Sequence, residues 1–162
     1  MTQKATRTIT IAPVKKSVTV ETPQAQAFDL FTNGIDRWWP NEHHIGAAPV
    51  VKQTVEPRQG GRWVTLHEDG KETVNGRMLV WDPPKRIVFS WEINGQWKPE
   101  SNLEVVSEVE VRFIVESASR TRVELEHRKF ERMVEGGQSM RDGVDNGWPG
   151  ILDMFKKIAE GR

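Results

Sequence analysis

Four histidines, His43, His44, His67 and His127, are the side chains best placed for chemistry near neutral pH. Glu42-His43-His44 puts three metal-ligating residues in a row. Adjacent side chains of an extended chain point to opposite faces, so a metal there needs a loop that turns both imidazoles inward. His67 shares a strand face with Thr65 and Trp63. His127 stands where the alternation Val123, Leu125 calls for an apolar residue. It is either a core histidine hydrogen-bonded to its surroundings, or a polar anchor or general acid/base at the end of an apolar cavity. If the His67 face is internal, His67 and His127 are able to approach one another. Carboxylates are plentiful, but Glu108, Glu110, Glu124 and Glu126 alternate outward as a solvated face, paired with Arg112, Arg122 and Arg128 across strands. No carboxylate pair stands isolated in an apolar run, so acid/base hydrolysis is not supported. Ser107, inside a valine face, is a candidate pocket hydroxyl. A nucleophile elbow, a phosphate loop and a dinucleotide fingerprint are all missing. Gly60-Gly61 lies between strands rather than before a helix, so it is no phosphate cradle.

Composition narrows the classes further. Cysteine is absent, which excludes disulfides, thiol catalysis and cysteine-ligated metal and fits a cytoplasmic location. The 23 basic and 23 acidic residues cancel, which offers no electrostatic case for nucleic acid or an anionic membrane. No apolar run approaches the ~20 residues of a membrane helix, and Met1 to Ile11 has no secretory apolar core. No cofactor or metal is expected. The 162 residues suit one domain, spanning residues 1–162 with residues 1–7 frayed. Seven tryptophans and six phenylalanines stand beside no tyrosine. Such rings either fill the core of a curved sheet or line a pocket for an apolar or aromatic ligand.

The elements that must position these residues follow from periodicity. Met140, Val144, Trp148, Ile151, Leu152, Phe155, Ile158 and Ala159 recur at steps of three and four, one broad stripe on a helix spanning residues 139–162. Gly143, Gly147 and Gly150 edge that stripe, and so weak a helix-forming choice implies a close approach to the backbone. Pro149 lacks the amide that would bond the Asp145 carbonyl, so the helix either kinks there or starts near Asp145. Upstream, Thr8 to Ala12 alternates and Pro13 interrupts before a strand from Val14 to Val20. Thr22 is a candidate cap for a short helix over Ala25 to Phe31, ended at Asn33-Gly34, and Ile35 to Trp39 adds one turn. Strands are expected at 50–56, 62–68, 73–81, 86–93, 104–116 and 122–129. Asp69-Gly70 marks a hairpin, and Gly76 a bulge or close contact in mid-strand. A sheet with one apolar and one charged face is most simply buried by curling around the last helix.

Several blocks of sequence, in order, resemble a known family. They are Val14 to Val20 with Ala27-Phe28 and Trp38-Trp39; Gly60-Gly61-Arg62-Trp63; Gly76-Arg77 followed by residues 81–91 around Pro83-Pro84; Glu108 to Phe113; Thr121 to His127 with Phe130; and Gly147-Trp148 with Ile151-Leu152. Together they resemble bacterial proteins similar to the C-terminal domain of the activator of the heat-shock ATPase, within the lipid-transfer and birch-pollen-allergen-like superfamily. The likeness runs from about Val14 to the end. It implies an α+β helix-grip fold: about six to seven antiparallel strands curved around a long C-terminal helix, two short helices after the first strand, and a cavity between sheet and helix. It implies no single activity, since relatives include binders of lipids, hormones and polyketides as well as cyclases and dehydratases. Pro149 and the long connection after Trp91 depart from the even pattern.

Within that frame the candidate ligand-binding set is Trp39, Trp63, Met78, Trp91, Ser107, Phe113, His127, Met140, Val144 and Trp148. One ring of Trp38-Trp39 plugs a cavity end while the other is free to stand exposed. The expected partner is a small apolar or aromatic molecule. The resemblance alone adds another protein as a partner, as for a chaperone accessory domain. Catalysis of cyclase or hydratase type through His127 ranks third.

Overall fold

The computed structural model describes residues 10–161. The expected fraying of residues 1–7 and the start of the first alternation lie outside the described residues. Thr10 to Pro13 is not part of a strand. The elements run β1 (Val14–Val20), α1 (Gln24–Thr32), α2 (Ile35–Trp38), β2 (Val50–Val55), β3 (Arg62–His67), β4 (Glu72–Asp82), β5 (Arg86–Trp91), β6 (Ser107–Ser117), β7 (Arg120–Arg128) and α3 (Gly137–Ala159). The strands form one antiparallel sheet of seven in the order β1-β7-β6-β5-β4-β3-β2. Pro13 thus precedes an edge strand, where a missing amide costs no ladder bond.

Two irregularities in β4 decide which of its residues face inward. Trp63 pairs with Gly76 but Val64 with Val74, so Asn75 is an extra residue. Met78 then pairs with Phe89 but Val80 with Val88, so Leu79 is a second one. Each insertion flips the alternation. Thr73 and Asn75 face inward on one side of the first bulge, and Met78 on the other. Glycine is required at position 76 because a Cβ would run into the Ser90 carbonyl oxygen.

The concave face closes on α3, whose Met140, Val144, Trp148, Ile151, Leu152 and Phe155 are buried. This helix is continuous through Pro149, so it does not start near Asp145, and its last residue is Ala159. It opens on Gly136, whose left-handed backbone (φ 76°) suits glycine. At its other end the Thr22 hydroxyl donates to the Ala159 carbonyl at 2.7 Å. Thr22 therefore does not cap α1, where Pro23 holds the N-cap position without a side-chain bond. It serves the orphan carbonyls of α3 instead.

Three expectations about faces are corrected. Val105 belongs to a short 3-10 turn, Leu103–Val105, rather than to β6. Both Trp38 and Trp39 are buried, so neither ring stands exposed. Glu108 and Glu110 lie on the outer face but are buried beneath cations. Arg128 and Glu108 are 2.8 Å apart, and Glu110 meets Arg86 at 2.9 Å, Arg112 at 3.0 Å and Arg128 at 2.6 Å. Burial works to raise the Glu110 carboxyl, yet hydrogen bonds from Arg112 and Arg128 hold it below the usual carboxylate range. The long arginine stems account for the burial, because they lie over the carboxylates they pair with.

Candidate functional site

The helix and the sheet do not meet everywhere. Between β3, β4 and β5 on one side and the first half of α3 on the other lies a hollow of about 330 Å³. Trp63, Asn75 and Trp91 enter from the strands, and Gly143, Val144, Gly147, Trp148 and Ile151 from α3. Trp39 and the loop residues Glu42, His43, His44 and Ile45 border it on one side, Ile93 and Trp97 on the other. The glycine edge of α3 now has an occupant. A Cβ on Gly143 would stand 3.2 Å from the Trp97 ring, and one on Gly147 would stand 4.0 Å from His43 Cε1. A Cβ on Gly150 would meet nothing within 4 Å. The backbone of Trp97 is left-handed (φ 59°), uncommon for a bulky residue. Its loop is tied by Asn94, whose Oδ1 accepts from Gln96 N at 2.9 Å and Lys98 N at 3.1 Å. The other loop is tied by Trp39 Nε1, which donates to the His43 carbonyl at 2.7 Å.

One side of the interior is polar and closely bonded. Gln53 Oε1 accepts from Trp63 Nε1 at 2.9 Å and from Thr65 Oγ1 at 2.8 Å, and Thr65 Oγ1 accepts from Asn75 Nδ2 at 2.7 Å. His67 donates from Nδ1 to the Ala48 carbonyl at 2.9 Å, which leaves Nε2 to accept from Thr73 Oγ1 at 2.8 Å. His44 packs edge-on to His67 with ring centroids 5.8 Å apart. Burial first, and then the neighbouring His67, push His44 below its ordinary value. Two atoms on residues lining the hollow have no protein partner although they are buried: Trp91 Nε1 and His44 Nδ1.

The predicted residues divide into two groups. Trp39, Trp63, Trp91, Val144 and Trp148 border the hollow. Met78, Ser107, Phe113, His127 and Met140 are buried outside its lining. Met78 borders a gap of only about 10 Å³, at the limit of what a single water needs. Phe113 packs on Phe28 and Phe31 at 5.2 and 5.6 Å. His127 is fully buried: Trp148 Nε1 donates to its Nδ1 at 3.1 Å, so Nε2 carries the proton and donates to Ser107 Oγ at 2.8 Å. Desolvation lowers its pKa to about 3, which keeps it neutral around pH 7. His67 and His127 have separate partners and are not bonded to each other. Among the described residues no group of three or more His, Cys, Asp or Glu is placed to hold a metal. His43 and His44 are instead wall residues of the hollow.

Sequence reasoning missed Asn75, Trp97 and the two loop histidines as wall residues. Gly76 signals the bulge that turns Asn75 inward. The glycine strip signals a close approach to the backbone of α3, which the structure shows at Gly143, but no local pattern names Trp97 as the residue that makes it.

A seven-stranded sheet clasping a long C-terminal helix, with two short helices after the first strand, is the helix-grip fold. The chain belongs to the family described as Activator of Hsp90 ATPase homolog 1-like protein, which matches residues 21–160. Among solved structures it is similar to an anthrahydroquino-gamma-pyrone synthase at 35% identity, covering 92% of this chain and 97% of that one, with a TM-score of 0.66. It is also similar to CalC, a self-sacrificing resistance protein from Micromonospora echinospora, at 30% identity, covering 91% and 93%, with a TM-score of 0.62. A protein from Nitrosomonas europaea shares the fold at 14% identity, covering 91% and 93%, with a TM-score of 0.62. No curated protein matches the chain. No helix among the described residues is long and apolar enough to cross a membrane.

Proposed function

We propose that this chain is a binding domain for a small, mainly aromatic molecule held in the hollow between the sheet and α3. The observation that carries this reading is the wall itself: Trp39, Trp63, Trp91, Trp97 and Trp148 all border one space. Indole faces favour flat, polarisable partners through offset and edge-to-face contacts. Ligand pockets span roughly 300–1,000 Å³, and about 330 Å³ sits at the small end. A compact ring system therefore fits better than a sterol or a long acyl chain. The relative at 35% identity is named for an anthrahydroquino-gamma-pyrone, itself a fused aromatic ring system, which supports the same class. Another relative is named for resistance, so the shared fold by itself does not select a role. The engaged nitrogens of His127 favour a structural histidine over an acid/base.

Titration with a panel of flavonoids, fatty acids and sterols, followed by tryptophan fluorescence, tests the reading. A saturable change with flat aromatics and none with fatty acids is expected. Native mass spectrometry of freshly purified protein is expected to retain an aromatic mass. Response to fatty acids alone would remove the aromatic class.

A further inference from the structure

A row of hydrogen bonds beneath the sheet has a fixed direction. It starts at Trp63, whose indole nitrogen only donates. The Gln53 atom that meets it at 2.9 Å is therefore the amide oxygen. Thr65 meets the same oxygen at 2.8 Å, so its single hydroxyl hydrogen is committed there. Thr65 Oγ1 is then left to accept, and Asn75 must turn Nδ2 toward it, at 2.7 Å. A donor-only ring thus orients the side-chain amide at the far end of the row. That end is Asn75 Oδ1, which accepts nothing from the described residues. The sealed side-chain atoms without a partner among those residues are His44 Nδ1, Trp91 Nε1 and Arg122 Nε, and Asn75 Oδ1 is not one of them. It therefore keeps accessible surface although its residue is buried. Asn75 faces inward as the extra residue of the first β4 bulge and borders the hollow, so that surface opens into the hollow. Its main chain is pinned as well, since Glu92 N donates to the Asn75 carbonyl at 2.8 Å.

We infer that the hollow takes an aromatic hydrogen-bond donor, a ring system bearing a phenolic O–H or a ring N–H that Asn75 Oδ1 accepts. The inference rests on the hollow being a ligand site, and it adds the ligand's polar group, the residue that reads it and the residue that holds the reader. Thr65 is that positioning residue, because without its hydroxyl the Asn75 amide is free to present either end. A ligand that offers only an acceptor sets lone pairs against lone pairs at Oδ1. A ligand that offers a donor matches it. A site built around a buried polar group rejects the analogue lacking the matching group much more strongly than it rejects a small change of shape.

Carbazole and dibenzofuran test this, since they share one flat ring frame and differ only in N–H against O. Their binding is measured by equilibrium dialysis, and the quantity read is the ratio of the two affinities. The unaltered protein is expected to hold carbazole about tenfold more tightly than dibenzofuran. Asn75→Leu removes the acceptor and is expected to bring the ratio close to unity. Thr65→Val is expected to lower the ratio several-fold, and Thr65→Ser, which keeps the hydroxyl, to retain it. Lost packing alone would weaken both compounds and leave the ratio where it was. Circular dichroism confirms that each variant is folded, and should Thr65→Val not fold, the unaltered protein and Asn75→Leu still decide. A ratio at or below unity in the unaltered protein, or one that survives Asn75→Leu, overturns the assignment while the hollow stands as an aromatic site. If neither compound, nor any flat aromatic of the wider panel, binds the unaltered protein, the hollow fails as a site and the assignment falls with it.

Discussion

The two ends of the space under the sheet contrast sharply. At one end α1 and α2 drive rings into the core until it is solid. Phe31 meets Trp38 at 4.8 Å, Phe155 at 5.2 Å and Phe113 at 5.6 Å, and Trp38 meets Phe155 at 5.0 Å. At the other end two loops and a glycine edge stand in for helices, and rings that still touch one another, Trp39 with Trp63 at 4.7 Å and Trp91 with Trp148 at 5.7 Å, also border open space. Trp148 lies at the boundary, bonded to the packed His127 and bordering the hollow. The same residue type thus contributes stability where helices press it inward and offers a surface where they do not. Aromatic content alone does not separate the two jobs.

Breaking the solid end is expected to have the largest effect. Phe113→Ala empties a site closed on all sides and is expected to cost about 3–5 kcal/mol, read as a lower urea midpoint. A loss below about 1 kcal/mol would show that this end is as loose as the other.

Next in size comes an acid effect at the boundary. In the unfolded chain the His127 imidazole titrates near 6.5, whereas burial holds it to about 3 in the folded one. Between those values the unfolded state binds a proton that the folded state refuses. Its contribution is complete above pH 6.5 and declines as pH falls toward 3, a loss on the order of a few kcal/mol. His127→Gln is expected to flatten this part of the stability profile. An unchanged acid slope would mean that other groups carry it.

The smallest effect sharpens the comparison along α3. Gly150→Ala and Gly147→Ala should each stabilise the helix by up to about 1 kcal/mol. Gly150 meets nothing and lies outside the wall, so its variant is expected to bind ligand normally. Gly147 borders the hollow, so an added methyl takes room from the ligand and is expected to weaken binding several-fold. Equal binding by the two variants would move the ligand elsewhere.

Much of this arrangement was legible in the sequence. Strand and helix periodicity, Asp69-Gly70 and the stripe from Met140 to Phe155 sufficed for the seven strands and the clasped helix, because local pattern and global burial agree there. Of the ten predicted site residues, the structure brings Trp39, Trp63, Trp91, Val144 and Trp148 to one wall. Met78 and Phe113 share the inward face with them but lie at the packed end, and alternation gives a face without a position along the axis. Glu108 and Glu110 show the converse limit, since an outward-pointing residue is still buried when arginine stems fold over it. Thr22 has the sequence context of a local cap, whereas its partner, Ala159, is 137 residues away. Contacts of that kind leave no trace in a short window.

The position of β1 bears on how the chain is made. Among the described residues its one sheet neighbour is β7, so Val20 waits for Thr121 before the first strand gains a ladder. At translation rates of ~5–20 residues per second, that delay is roughly 5–20 s. Throughout it the nascent chain carries a valine-rich segment with its amides unclaimed. Folding cannot be completed from the amino end, and the ribosome must release α3 before the grip can shut.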